Sequence, residues 1–367
     1  MAREVTIDQA SCITPLGDTA ETVEALFQGH SGIRHGPFLE IPVGYAPFQN
    51  PAHRLLPDAA QILKQTCDLS EIDPGNTILI YCSAKGELAH LEHWVNDNSY
   101  APPALTLLDD QANSVASLFG SKFSKTLAIS NACASGAIAL ETAAEFLSDR
   151  DFAHALLIGF EPLCRFVVSG FHSLGALSPE RARPFDEDRN GLSPGECAGI
   201  VLLSYREPET GDIVISGAGS SNDANHRTGP SRTGDGLFGA AKAACKNASR
   251  DFSQIGGVKC HGTATLYNDA MEAKALFSMF GTAIPPCVSL KGAIGHGSGA
   301  GSLCETILAS HFIRRMKLPP TYGFMKSGVE EPVQISAQPQ SLHKPVVLCL
   351  SAGFGGVNGA VILEKSH

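Results

Sequence analysis

The chain has 367 residues, 43% hydrophobic and 17% charged, a balance that suits a soluble globular protein with one large core or two domains of ordinary size. Its 27 basic side chains against 37 acidic ones argue against nucleic acid as the main partner. No run approaches the roughly 20 apolar residues of a membrane-spanning helix and the opening MAREVTIDQA has no apolar signal region, so the expectation is a cytoplasmic protein with no membrane partner.

In chain order the strand and helix patterns alternate. A strand over REVTIDQASCI leads to helices over TAETVEALFQG and PDAAQILKQTC, then to strands over NTILIYCSA and KTLAISNA. Helix GAIALETAAEFLSDR follows, with strands HALLIGFE, AGIVLLSYR and DIVISGAGSS after it. The remainder reads as helix GLFGAAKAACKNA, strand GVKCHGTA, helices DAMEAKALFSMFG and AGSLCETILASHFIRR, and strand KPVVLCLSAGFGG. Such alternation implies an α/β fold. A break near REPETGD divides the chain into residues 1–206 and 207–367, two strand-rich halves expected to share one core.

Eleven cysteines are scattered from Cys12 to Cys349, none at C-x-x-C spacing, so neither disulfides nor structural zinc is expected. Cys133 stands out, because a strand ending at Ile129, a turn at Ser130 and Asn131, and a helix from Ala134 would place its sulfur at a helix N-terminus. Unpaired N–H groups and the helix dipole there favour a thiolate, the reactive form of a sulfur nucleophile. The alternative is a small buried core residue, and the local sequence leaves both open.

Three later segments carry partners for a thiol-based acyl transfer. VKCHGTATLYNDAMEAKAL puts His261 at the end of an apolar strand with Thr263 and Thr265 beyond it. SLKGAIGHGSGAGSLCETILA sets Lys291 five residues before His296 and leads into a helix with Glu305. LSAGFGGVNGAVIL flanks Phe354 with glycines between two strands.

With ITPLGDT near the start, NACASG at the cysteine, RARPFDEDRNGLSPGECAG in the middle, then CHGTAT, KGAIGH and GFGGVN, the chain resembles the β-ketoacyl-[acyl carrier protein] synthases of the Cys-His-His type, condensing enzymes of the thiolase superfamily. The resemblance implies a thiolase-like fold, two similar βα halves stacked as α-β-α-β-α, the first carrying the nucleophilic cysteine and the second the histidines. It implies that Cys133 takes an acyl group from a carrier protein's phosphopantetheine and that malonyl carrier protein is then decarboxylated and condensed with it. His261 and His296 would stabilise the malonyl oxyanion. The backbone N–H groups of Cys133 and Phe354 would form a second oxyanion hole, Phe354 also acting as a gate to the acyl pocket. Lys291 would polarise the His261 side of the site, with Asp269, Glu272 and Glu305 as buried partners, although a purely structural lysine stays open. Thr228, Thr263, Thr265 and Glu305 make up the substrate-binding set, the threonines along the pantetheine arm; each could equally satisfy strand-end backbone. No metal or resident cofactor is implied, since phosphopantetheine arrives on the carrier. The implied partners are an acyl carrier protein and a second ketosynthase-like chain, as homodimer or heterodimer, paired near residues 113–130. A chain-length-factor-like subunit and a thiolase-like enzyme using coenzyme A are the alternatives; Cys133 counts against the first, and Ser351-Ala-Gly-Phe, where a second catalytic cysteine would stand, against the second.

Carrier docking needs a local basic patch, for which Arg54, Lys64, Arg181, Arg183 and Arg189 are candidates, the last three also able to pair with nearby acids. Gly191-Leu-Ser-Pro-Gly195 matches a nucleophile elbow, but Pro194 has no N–H to offer an oxyanion hole, so Ser193 is set aside. His90 and His93 flank Glu92 without a third metal ligand at recognisable spacing and read as surface residues. Leu266, Ser302, Cys197 and Ala352 depart from the family pattern, and the segment between about residues 85 and 126 is short, which puts chain-length preference in doubt.

Overall fold

The structure, a computed structural model, describes residues 4–38, 40–50, 56–70, 72–86, 88–96, 108–120 and 122–367. Its main sheet has ten strands: β1 (Glu4–Ile13), β2 (Thr77–Cys82), β3 (Lys125–Ile129), β4 (His154–Glu161), β5 (Cys197–Arg206), β6 (Ile213–Asn222), β7 (Gly257–Lys259), β8 (Cys287–Val288), β9 (Val346–Ala352) and β10 (Val357–Lys365). They lie in the order β8-β7-β9-β10-β6-β1-β5-β4-β2-β3. Outward from the centre, one side runs β1-β5-β4-β2-β3 and the other β6-β10-β9-β7-β8, the same path shifted by five strands. The directions repeat as well, with β2 parallel to β3 and β4 as β7 is to β8 and β9, and the remaining pairs within each half antiparallel. Within the sheet the halves meet where Val5 and Thr6 pair with Ile215 and Val214.

Ten α-helices are described with it: α1 (Thr19–Phe27), α2 (Leu56–Gln65), α3 (Leu88–Asn96), α4 (Leu108–Leu118), α5 (Ser135–Ser148), α6 (Arg165–Ser173), α7 (Asp235–Asn247), α8 (Leu266–Phe280), α9 (Lys291–Ile294) and α10 (Ser298–Arg315). α5 and α10 form the middle layer, each touching strands of both halves. The small side chains of α5 permit that position. The Ala137 N–H, one of the first-turn donors a helix cannot satisfy itself, reaches Ser302 Oγ of α10 at 3.1 Å. Ser302, a departure from the family pattern, therefore stitches the two central helices together. Outside, α2 and α4 close one face through Leu63, Val115 and Ala116 over Leu79, Tyr81 and Ile200. α7 and α8 close the other through Leu237, Met271 and Leu276 over Val258, Leu348 and Ile362. The result is the five-layer α-β-α-β-α arrangement.

One strand is shorter than its sequence pattern. GVKCHGTA forms a strand only to Lys259, because Gly262 (φ 41°) and Ala264 (φ 67°) turn into the left-handed region. Acidic residues of α8 hold that turn, Glu272 accepting the N–H groups of His261 and Gly262 at 2.6 and 2.7 Å and Asp269 that of Ala264 at 3.2 Å. The turn aims His261 away from the sheet.

Candidate active site

Cys133 sits on a sharp elbow between β3 and α5. Ala132 adopts a left-handed backbone (φ 49°), a conformation that costs a non-glycine residue energy and persists only where neighbours enforce it. Ser135 enforces it here, its hydroxyl accepting the Asn131 N–H at 2.8 Å and donating to the Ala132 carbonyl at 2.6 Å. The cysteine stands two residues before the first helical residue, with 8% of its surface exposed. Burial pushes its thiol up to about 12, against the pull of the Lys291 ammonium and the Phe354 N–H, while the Glu161 carboxylate adds to the rise. This corrects the expectation of a favoured thiolate: desolvation outweighs the Lys291 charge and the Phe354 N–H, and the sulfur rests as a thiol.

His261 and His296 arrive from the other half, one after β7 and one between α9 and α10. Their rings lie 5.5 Å apart at 85°. Burial, then the Lys291 charge, holds both imidazoles below their ordinary range, His296 down to about 3. Both are neutral at physiological pH. The His296 backbone N–H is fixed on the Ser193 carbonyl at 2.7 Å, and its Nδ1 is buried without a partner among the described residues. An orphaned buried nitrogen at a cavity wall is a group waiting for an oxygen.

Behind the histidines lies a buried charge triad. Lys291 Nζ and Lys259 Nζ each approach one oxygen of Glu305 at 2.6 Å, and Lys259 also donates to the Leu350 carbonyl at 2.7 Å. The lysines hold the Glu305 carboxyl below its usual range although it is buried. Glu305 is thus the partner of Lys291, but it does not line the cavity as a substrate-binding residue; the ammonium groups cover it. Lys291 does not line it either and acts through its charge. Lys259 is missed by the sequence reading, though a lysine inside the apolar strand VKC, two residues before His261, is the signal that could have found it.

A cavity of 380 Å³ reaches Cys133, His261 and His296 from outside, and Thr228, Thr263, Thr265 and Phe354 stand in its wall. The hydroxyls of Thr263 and Thr265 lie 3.0 Å apart, and the Thr228 N–H donates to His226 Nδ1 at 3.2 Å. Phe354 is 37% exposed and packs edge-on against Phe171 at 5.9 Å, which in turn lies 6.1 Å from the His296 ring. Phe171, on α6, carries no local sequence signal.

Among the described residues, the candidate docking cations are each engaged within the protein. Arg181 donates to the Tyr322 hydroxyl at 2.8 Å, Arg183 pairs with Glu180 and Asp188, and Arg189 is buried on the Asp186 and Gly328 carbonyls. Lys64 lies over the Phe119 ring and toward the Leu118 carbonyl. Arg54 and the side chains of His90 and His93 lie outside the described residues. Glu92 accepts the first N–H groups of α6, from Arg165 at 2.8 Å and Phe166 at 2.6 Å. Ser193 is fully buried and accepts the Ala182 N–H at 2.9 Å. Among the described residues no helix is long and apolar enough to cross a membrane.

Comparison with known proteins agrees with this geometry. Residues 111–208 match the Beta-ketoacyl synthase N-terminal domain and residues 213–325 its C-terminal domain, together more than half of the chain. The 3-oxoacyl-[acyl-carrier-protein] synthase 2 of Rhizobium meliloti is 34% identical over 252 residues, 64% of this chain and 59% of that protein. The enzyme of that name from Vibrio cholerae is 32% identical over 258 residues, 65% of this chain and 62% of that one. The matched segment thus spans about three fifths of these relatives. A ketosynthase in complex with its chain length factor from Xenorhabdus doucetiae superposes with a TM-score of 0.88 at 26% identity, covering 99% of this chain and 98% of that one. The thiolase-like fold, the two domain matches and the Cys133, His261 and His296 cluster place this chain in the β-ketoacyl synthase family.

Proposed function

We propose that the protein is a β-ketoacyl-[acyl carrier protein] synthase, catalysing decarboxylative condensation of an acyl group on Cys133 with malonyl carrier protein in fatty-acid or specialised polyketide or polyene synthesis. The observation that carries this is one cavity in which a buried thiol meets two neutral imidazoles and the Phe354 N–H. A pantetheine arm would run past Thr228, Thr263 and Thr265, whose hydroxyls suit its amides. The Cys133 sulfur attacks the acyl carbonyl, whose oxygen gains negative charge against the Cys133 and Phe354 N–H groups, and the thiol proton ends on the departing pantetheine sulfur. Phe354, beside Phe171, gates the passage of the acyl chain. The malonyl thioester then enters and loses carbon dioxide as negative charge builds on its oxygen. Neutral imidazoles can donate N–H bonds to that oxygen, whereas cationic ones would have to pay for a buried charge. The new carbon nucleophile attacks the Cys133 thioester, and the released thiolate takes up one proton. No resident cofactor is needed, because phosphopantetheine is part of the substrate.

The partners in this reading are an acyl carrier protein and a second ketosynthase-like chain, and the setting is the cytoplasm. The edge strand β3 supports the pairing: it is half-buried at four of five positions, whereas β2 beside it is wholly buried. The solved Xenorhabdus doucetiae ketosynthase is bound to a chain length factor, which makes a heterodimer the arrangement to test first. Intact-mass measurement after exposure to acyl carrier proteins tests the reaction. The wild type should gain the acyl mass and Cys133→Ala should not; acyl mass on the variant would overturn the assignment.

A further inference from the structure

The condensation chemistry leaves one buried ion pair without a task. Lys85 and Glu161 form a salt bridge with side chains 6% and 0% exposed. Its position is fixed by its neighbours. Cys82 of β2 pairs with Ile129 of β3 and with Gly159 of β4, so the segment after β2 leaves the sheet between the strand that leads to Cys133 and the strand that ends in Glu161. The Ser83 N–H continues the ladder to the Ile129 carbonyl at 3.2 Å, and the Ser130 hydroxyl donates to the Ala84 carbonyl at 3.3 Å. On its other side the segment presses on the first turn of α10, directly after His296, where a Cβ at Gly299 would run into the Ala84 backbone. Residues 83–85 are therefore wedged between the elbow of Cys133 and the turn of His296. Neither Lys85 nor Glu161 lines the entry cavity, while the Glu161 charge is near enough to act on the Cys133 thiol, which sets the pair beside the sulfur and away from the entrance.

The pair is unequally satisfied. Glu161 receives the Ser83 hydroxyl at 2.9 Å, the Ala84 N–H and the Lys85 ammonium. An ammonium has three hydrogens, and among the described residues Glu161 is the one acceptor for that of Lys85. Two N–H bonds are left to give in a water-poor site. Because the pair is neutral as a whole, a neutral oxygen can take them without adding buried charge, whereas a carboxylate would face Glu161.

Resting on the reading of Cys133 as the acylated residue, we propose that Lys85, held by Glu161, is a specificity-determining residue that selects acyl groups carrying a keto or hydroxyl oxygen along the chain over saturated chains of the same length. A site built to hydrogen-bond a substrate oxygen rejects the analogue lacking it, because the buried donor is then left unpaired.

The test is acylation of Cys133 by pantetheine thioesters, read by intact mass, comparing hexanoyl with 3-hydroxyhexanoyl and 5-oxohexanoyl, and octanoyl with its oxo and hydroxy forms. The wild type should favour at least one oxygenated chain by about tenfold or more in kcat/KM. Lys85→Met together with Glu161→Gln, which removes both charges and leaves none unpaired, should erase the preference and speed the saturated chains. Equal rates for oxygenated and saturated chains in the wild type, or a preference that survives in the double variant, would overturn the proposal and leave the ketosynthase reading standing. Should the double variant fail to fold, the wild-type comparison decides alone. Acylation by none of the thioesters or carrier-bound substrates would remove both readings.

Discussion

The imidazoles of His261 and His296 meet edge to face, their centres 5.5 Å apart at 85°, each delivered by a turn of the second half. In this arrangement the two rings do not compete for one direction, and both border the cavity at Cys133. Two donors on one developing oxyanion should matter for decarboxylation and little for the first acyl transfer. We expect His261→Ala and His296→Ala each to lower condensation by about 10²-fold or more, the loss typical of one oxyanion-hole donor, while acyl mass still appears on Cys133. Parallel assays of carbon dioxide release and acyl-enzyme mass check this, and unchanged condensation in either variant removes that residue from the role.

The neutral state of the pair has a consequence for stability. A histidine whose folded pKa lies below its unfolded value binds its proton more readily in the unfolded chain, so its contribution is complete above about pH 6.5 and is lost as pH falls toward the folded value, about 3 for His296. At pH 5.5 such a group costs roughly 1.4 kcal/mol. Glu272, raised to about 7 by burial, acts in the opposite sense, its contribution being present below the ordinary carboxyl range and lost as pH rises through 7. Urea unfolding of the wild type and His296→Gln at pH 7.5 and 5.5 separates the two. The variant should lose less stability on acidification, by about 1 kcal/mol, and identical pH dependence would show that His296 protonates in the folded protein.

The sequence carried the site better than its electrostatics. Motifs on successive turns located Cys133, His261, His296 and Phe354, and the layered fold brings all four to one cavity. Ionisation could not be read in the same way. A helix start after Cys133 argued for a thiolate, but the sulfur's burial depends on Phe354, Gly353 and the second half, over 200 residues away. The arginines of RARPFDEDR illustrate the same limit, since their partners include Tyr322 and the Gly328 carbonyl, which no local pattern pairs with them. Lys259 and Lys85 were legible only as charges in apolar strand contexts, and their carboxylates come from distant elements.

Glu305 between two lysines gives a prediction with an order. Glu305→Gln leaves two buried ammonium groups without a carboxylate, whereas Lys259→Met keeps the Lys291–Glu305 pair and takes one donor each from the second Glu305 oxygen and the Leu350 carbonyl. Breaking a buried pair by removing one partner costs about 3–5 kcal/mol, and an unpaired buried acceptor about 1–3 kcal/mol. Thermal unfolding should therefore rank Glu305→Gln well below Lys259→Met, with the wild type above both. The reverse ranking would mean that Lys259, not Glu305, is the hub of the triad.

Gly353 offers a separation of activity from stability. Its backbone is extended (φ −130°, ψ 157°), so alanine meets no conformational barrier there. A Cβ would nevertheless lie 3.0 Å from the Asn131 carbonyl oxygen and 3.2 Å from the backbone nitrogens of Cys133 and Ala134. These are contacts tighter than side chains normally make, and relieving them pushes the Phe354 N–H away from the Cys133 sulfur that it faces. The displacement needed is a few tenths of an ångström, which a loop joining two strands can absorb at small cost to folding. An oxyanion hole tolerates it less, because its donors act only where charge develops. Gly353→Ala should therefore keep the melting temperature within a few degrees of the wild type and slow acylation of Cys133 by about tenfold or more. Equal acylation rates would show that the Phe354 N–H is not aimed at the tetrahedral oxygen, and a large fall in melting temperature that the loop is part of the core.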